Sequence, residues 1–166
     1  MITAIAAVSE NWGIGKDNDL LFNIPEDKKF FRRITLGHTV IMGRKTLESL
    51  PGKKPFKDRR NIILSRDEGL SVEGAEVAHS VNEVLNLVKD EDAFVVGGGE
   101  IYREFICCCA AALITKVNAA PDADVFFPDL DKSANWKLTE KSEEYTYEGL
   151  KYTFCKYDNH RDMDIF

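Results

Sequence analysis

Short apolar runs punctuate the chain. Ile2–Val8 is apolar almost throughout, Thr39–Gly43 is β-branched and ends at a glycine, and Asn61–Ser65 repeats the pattern. Runs of this length, bounded by turn residues, read as strands buried on both faces. Phe94–Val96 and Leu113–Asn118 read the same way. Helical spacing appears between them. Pro25 opens the helix EDKKFFRRITL, as proline can at a first helical position. Arg44–Leu50 is a short helix closed by Pro51 and Gly52, Val81–Asp90 carries valine and leucine at helical spacing, and Glu100–Cys108 is a further helix. Ser9–Ile24, with Gly13 and Gly15, reads as a loop. Trp136–Tyr157 alternates and turns once at Glu148-Gly149, which predicts an antiparallel hairpin.

Strands alternating with helices predict a largely parallel sheet covered on both faces, made mixed by the terminal hairpin. Without repeats, low-complexity tracts or linkers, residues 1–166 are expected to form one α/β domain. Ligands of such sheets bind beyond the carboxyl ends of the strands. That rule places Val8–Ser9, Gly43–Arg44, Ser65–Arg66 and Gly97–Gly99 on one rim.

One helix position breaks its own pattern. With Asp27 set at zero on a helical wheel, Ile34 falls at about −20°, Phe31 at about +40° and Phe30 at about −60°. Lys28, Lys29, Arg32 and Arg33 occupy the opposite side. An acid in a first helical turn ordinarily serves the free N–H groups and the helix dipole. The flanking aromatics shift the balance, because a buried carboxylate needs a partner and the helix offers none. A flat heterocycle with two parallel N–H donors would supply one.

Composition narrows the class. Hydrophobic residues make up 44% and charged residues 30%, as in a soluble globular protein, and the net charge of −6 weighs against nucleic acid as a general partner. No apolar run approaches the roughly 20 residues that span a bilayer. The start, MITAIAAVSENW, has no basic region and too short an apolar run for a signal peptide, so the chain is expected to be cytoplasmic. Cys107, Cys108, Cys109 and Cys155 form no C-x-x-C, and no histidine lies near the triplet, so they read as apolar filler, and no metal site is expected.

The rim carries further candidates. Arg44-Lys45-Thr46 opens a helix directly after one strand, and Ser65-Arg66 follows the next. Such residues can hold phosphates through charge and helix N-terminal N–H groups, though a solvated basic surface is the commoner outcome. The stretch GHTVIMGRKT imitates a P-loop with one residue too many between its glycines. In AFVVGGGEIY the sixth fingerprint position is Tyr102 and no acid ends the following strand, which rejects a Rossmann fingerprint. Phosphate binding and close packing both remain open for Gly97–Gly99. No G-x-S-x-G occurs, and His38, His79 and His160 are scattered.

In order, AIAAVSENWGIG, LLFNIPEDKKFF, VIMGRKTLESLP, RRNIILSR, VVGGGEIYREF and FFPD resemble dihydrofolate reductases over nearly the whole chain. Each motif alone is weak; the ordered set is specific. The resemblance implies a dihydrofolate-reductase-like fold with an eight-stranded mixed, mostly parallel sheet and about four helices. It implies NADPH-dependent reduction of 7,8-dihydrofolate by a bacterial-type, monofunctional, monomeric enzyme that antifolates inhibit. Asp27 would bind the pterin N–H groups, with Thr115, Phe22 and Leu20 also in the catalytic set. Ile5, Ala6, Phe31, Leu50, Phe56 and Val96 would line the substrate pocket. Lys28 would lie beside the benzoyl-glutamate, in a usually apolar place, and Arg59 would pair with the glutamate carboxylate.

For the cofactor, the resemblance assigns Gly43, Arg44, Lys45, Thr46, Leu64, Ser65, Arg66 and His79 to the adenosine and phosphate side. It assigns Ala7, Ile14, Gly15, Asn18 and Leu20 to the nicotinamide side, where the loop from Trp12 to Leu21 would close. Val96, Gly97, Gly98, Gly99, Glu100, Ile101 and Tyr102 would meet the cofactor at the glycine turn, with a cis bond between Gly97 and Gly98. Arg44 and Arg66 would account for a preference for NADPH, and water would deliver the N5 proton. Phe22 replaces a frequent tryptophan, and Leu20-Leu21 a frequent Met-Pro pair. Two other readings are a reductase of another pterin or pyrimidine, which would lack the Asp27–Phe31 pairing and Arg59, and a non-catalytic nucleotide-binding module.

Overall fold

The computed structural model describes residues 1–160. Chain order is β1 (Ile2–Val8), β2 (Gly13–Lys16), β3 (Asp19–Leu20), α1 (Pro25–Thr35), β4 (Thr39–Gly43), α2 (Arg44–Ser49), β5 (Arg60–Leu64) and β6 (Glu76–Ala78). It continues through α3 (Val81–Val88), β7 (Ala93–Gly97), α4 (Gly99–Phe105), β8 (Ala111–Val117), β9 (Val125–Phe126), β10 (Trp136–Lys141), β11 (Tyr145–Tyr147) and β12 (Leu150–Asn159). Eight strands run in the order β10-β12-β8-β1-β7-β4-β5-β6, and β11 also pairs with β12. The ladders from β8 through β1, β7, β4 and β5 to β6 are all parallel; those made by β12 are antiparallel. Among the described residues there are four α-helices, in line with the expected number of about four.

Period-2 alternation divides the core between the two faces of the sheet. On β4, Ile41 enters the large core cluster, while Val40 and Met42 enter a second cluster on the other face. On β5, Ile62 and Ile63 divide the same way. A third cluster gathers Ile24, Val117 and Tyr152. Helix α1 bridges the second and third clusters: Phe31 packs on Phe56 at 5.3 Å and Phe30 on Phe154 at 4.8 Å between ring centroids. Between them runs a cleft. On the cleft face burial loosens at Ala7 of β1 and at Val96 of β7.

Three expectations are corrected. Ser9–Ile24 is not simply a loop: β2 and β3 form a small antiparallel sheet with β9, a strand absent from the sequence reading. Strands this short, rich in glycine and charge, carry no periodic signal. The tail is three strands rather than one hairpin, because β10 and β11 pair separately with β12, the latter across the Glu148-Gly149 turn. The filler reading fits Cys109 and Cys155, which are buried, but not Cys107, which is exposed on the 3-10 turn after α4. Strand β6 was also missed, its three residues being too few to register as a pattern. Among the described residues, no helix is long and apolar enough to cross a membrane.

Candidate active site

The wheel drawn from sequence holds in three dimensions. Asp27, Phe30, Phe31 and Ile34 are half-buried on one side of α1, while Lys28, Lys29, Arg32 and Arg33 are exposed. Pro25 at the first turn needs no N–H partner, and the acids Glu26 and Asp27 suit the positive end of the helix. Asp27 faces β8, where Thr115 donates its hydroxyl to Oδ1 at 2.6 Å. Burial pushes the Asp27 carboxyl above its ordinary value, and the Thr115 hydrogen bond opposes that shift in part. Among the described residues, Asp27 forms no ion pair. It is a desolvated carboxylate with one oxygen committed and Oδ2 free to accept from a ligand.

At the outer end of the cleft, Phe56 sits between Phe31 and Arg59, whose guanidinium lies 4.7 Å above the Phe56 ring. Arg59 donates Nε to the Lys57 carbonyl at 3.0 Å and one terminal nitrogen to Thr35 Oγ1 at 3.2 Å. These bonds hold the guanidinium without neutralising it. Burial and the nearby Arg32 lower its proton affinity, the Asp58 carboxylate opposes them in part, and Arg59 makes no direct ion pair among the described residues, so an incoming carboxylate would be a favourable partner. Leu50 is half-buried above the same cluster, and Lys28 is exposed on α1. Ile5 is buried beside the half-buried Ala7 on the cleft face of β1, and Val96 is half-buried on β7, whereas the expected substrate contact Ala6 turns its side chain to the opposite face, against the large core cluster, because successive strand residues alternate.

The carboxyl ends of β4, β5 and β7 line up as the parallel ladders require. Gly43 stands at the N-cap of helix α2 and Gly98 at that of α4, and neither offers a side-chain cap. By contrast, Ser80 caps α3 by accepting from the Glu83 amide. Two uncapped first turns therefore leave backbone donors on this rim, which suits phosphate. Around them stand Arg44, Lys45, Thr46, Ser65 and Arg66. Arg44 pairs with Glu48 at 3.0 Å and Asp67 at 3.3 Å, and the largely exposed Arg66 approaches Glu100 at 3.7 Å. These surface pairs are weak enough for an anion to displace. His79 contacts the Ser65 carbonyl through Nδ1 at 2.8 Å.

In the turn between β7 and α4, Gly99 is the position with no room for a side chain, while Gly97 is held at a φ of 131°. The Gly97–Gly98 peptide is cis, as the resemblance implied. A methyl group on Gly99 would stand 2.5 Å from Val125 Cγ1, and one on Gly43 2.9 Å from Ile101 Cγ1. Leu64, Ile101 and Tyr102 lie behind the rim in the core, and the Tyr102 hydroxyl donates to the Ile5 carbonyl at 2.7 Å. A dinucleotide that brings phosphates and no bulk against the turn fits this arrangement of donors, cations and glycines.

Beside the turn stands the small sheet. Asp124 ties down its strand β2: its amide donates to the Gly15 carbonyl at 3.0 Å, and its carboxylate accepts from the Asp17 amide at 3.0 Å. Ile14 and Gly15 are buried, Asn18 is exposed with φ near 64°, and Leu20 is 75% exposed. A large apolar side chain so displayed next to a cleft is a candidate contact for a flat ligand. Phe22 is half-buried against the Ile24 cluster. Sequence reasoning missed Asp124 and Val125, whose importance depends on contacts more than a hundred residues away in sequence for Asp124 and with Gly99 for Val125.

The comparisons agree with this geometry. A model of the dihydrofolate reductase family matches residues 1–159. Dihydrofolate reductase of Neisseria meningitidis serogroup B is 42% identical over 158 residues, covering 94% of this chain and 96% of that protein. Dihydrofolate reductase of Bacillus subtilis is 36% identical over 160 residues, covering 92% and 94%. A solved structure of dihydrofolate reductase from Enterococcus faecalis, complexed with NADP(H) and RAB-propyl, superimposes with a TM-score of 0.87 at 29% identity, covering 96% of each chain.

Proposed function

The chain belongs to the dihydrofolate reductase family, and from that premise we propose how its own residues serve the reaction. That reaction is the NADPH-dependent reduction of 7,8-dihydrofolate to 5,6,7,8-tetrahydrofolate, with hydride added at C6 and a proton at N5. The observation that carries the site assignment is Asp27, half-buried between aromatic residues, without an ion pair among the described residues and with one oxygen held by Thr115.

Asp27 Oδ2 accepts from the pterin ring, and Thr115 fixes the carboxylate so that both oxygens are directed. Its charge favours the N5-protonated, cationic form of the substrate, which is the form ready to receive hydride. Water delivers that proton, and Phe22 supplies no N–H to hold it. Ile5, Leu50, Phe56 and Val96 enclose the rings, Ala6 meets them through its backbone, Phe31 lies against the benzoyl group, Lys28 flanks it, and Arg59 takes the glutamate carboxylate. NADPH supplies the hydride when bound. Ala7, Ile14, Gly15, Asn18 and Leu20 lie on its nicotinamide side. Gly97–Gly99 and Glu100 hold its middle against the turn, backed by Ile101 and Tyr102. Gly43, Arg44, Lys45, Thr46, Leu64, Ser65, Arg66 and His79 take the phosphates and adenosine. Orientation of two planar rings in a dry cleft is the protein's main contribution.

Residues 1–166 act as one dihydrofolate reductase domain, a cytoplasmic monomer whose ligands are the substrate, NADPH and antifolate inhibitors. The net charge of −6 supports small-molecule rather than nucleic-acid partners. The test is the fall in NADPH absorbance on adding dihydrofolate to the purified chain. Substrate-dependent oxidation is expected; none at any NADPH concentration would refute the reading.

A further inference from the structure

A polar cluster on the face of β8 opposite Asp27 has no part in the mechanism above. Lys116 Nζ donates to Asp131 Oδ2 at 2.8 Å and to the Tyr157 hydroxyl at 3.0 Å, and that hydroxyl donates to Asp131 Oδ1 at 2.7 Å. Burial alone would lower the Lys116 pKa, but its hydrogen bonds to Asp131 and Tyr157 prevail and raise it, so the ammonium is held charged. The closed triangle points its cation at an aromatic ring: Nζ lies 5.2 Å from the centroid of Trp12, and Tyr157 meets the same ring edge-on at 5.9 Å.

Trp12 is an unusual residue to find there. It is buried, yet its φ is 65°, a left-handed conformation that a side chain this large adopts only where its surroundings enforce it. Its carbonyl accepts from the Phe127 amide at 2.8 Å, and the two rings stack at 6.0 Å. Trp12 and Phe127 thus close the base of the small sheet, where β2 begins and β9 ends. From there the sheet reaches the glycine turn, through Val125 against Gly99.

We propose that Lys116, Asp131 and Tyr157 are positioning residues: their triangle locks Trp12 in place and so sets the small sheet against the cofactor turn. This rests on the reading of that turn and of the β2–β3 segment as the NADPH side of the site. The lock acts on the cofactor rather than on dihydrofolate, because successive residues of β8 point to opposite faces: Lys116 turns to Trp12, whereas Thr115 turns to Asp27 of α1, on whose side Phe31 and Arg59 gather around Phe56.

The test uses three variants of the full chain: Lys116→Met, which keeps length and loses charge and donors; Tyr157→Phe, which removes one hydroxyl; and Lys116→Arg, which restores a cation. NADPH affinity is read by binding alone, without turnover, and hydride transfer by single-turnover kinetics. Lys116→Met and Tyr157→Phe are expected to weaken NADPH binding or slow hydride transfer by about fivefold, with KM for dihydrofolate unchanged and with Lys116→Arg recovering most of the loss. A purely structural role would disturb β8 itself and reach the adjacent Thr115. Equal losses toward both ligands would therefore overturn the proposal, as would a lowered Tm with NADPH binding and hydride transfer intact. Should Lys116→Met not fold, Tyr157→Phe decides by the same readings. Failure of the parent chain to bind NADPH at all would instead count against the functional reading.

Discussion

At the residue scale, Asp27 couples stability and activity in opposite senses. Its folded-state pKa is raised above the ordinary 3.8, so the folded chain binds that proton more tightly than the unfolded chain does. The favourable contribution is therefore present at low pH and is lost as pH rises from the ordinary value through the raised one. Asp27→Asn should raise Tm at neutral pH by about 2 °C or more, while turnover falls by about a hundredfold or more. The parent's kcat/KM should decline as pH falls through the raised pKa, and the variant should lack that limb. An Asn variant with ordinary turnover would remove Asp27 from the mechanism. Gly99 is a steric counterpart. Gly99→Ala puts a methyl 2.5 Å from Val125 Cγ1 and should cost about 1–3 kcal/mol in thermal unfolding. Val125→Ala in the same chain should recover much of that loss, and an unaltered Tm for the single variant would contradict the close approach.

At the scale of elements, the starts of α2 and α4 divide the work of anion binding between backbone and side chain. Both first turns are uncapped, but only the arginines can distinguish a cofactor that carries an extra phosphate. Replacing Arg44 and Arg66 together by alanine should reduce the preference for NADPH over NADH by about tenfold or more, measured as the ratio of kcat/KM values. An undiminished ratio would assign those arginines to their present partners, Glu48, Asp67 and Glu100. The elements also show what a local pattern can reveal. α1, β1, β4, β5 and β7 were legible because burial on one or both faces leaves a period in the sequence. β3, β6 and β9, at two or three residues each, leave none.

At the scale of the molecule, the site lies between two apolar clusters, one around Val40, Met42 and Ile63 and one around Ile24, Val117 and Tyr152. A ligand that touches both sides binds the folded chain alone and should stabilise it by mass action. NADPH at about a hundred times its Kd should raise Tm by about 5–10 °C. A concentration-independent Tm would show that the rim does not hold the cofactor.

The sequence by itself determined the α/β class, the polar face of α1 and the place of Asp27 on its apolar side. It also determined the rim of strand ends with their basic and glycine residues. Each follows from spacing along a single element, where neighbours in sequence are neighbours in space. The tertiary structure alone decided that Thr115 holds Asp27 across 88 positions, that Arg59 reaches Thr35 of α1, that Val125 meets Gly99 and that Lys116 sits over Trp12. Such contacts depend on how strands order themselves in the sheet. Because strand order is set by packing energy summed over the whole core, no local pattern encodes it.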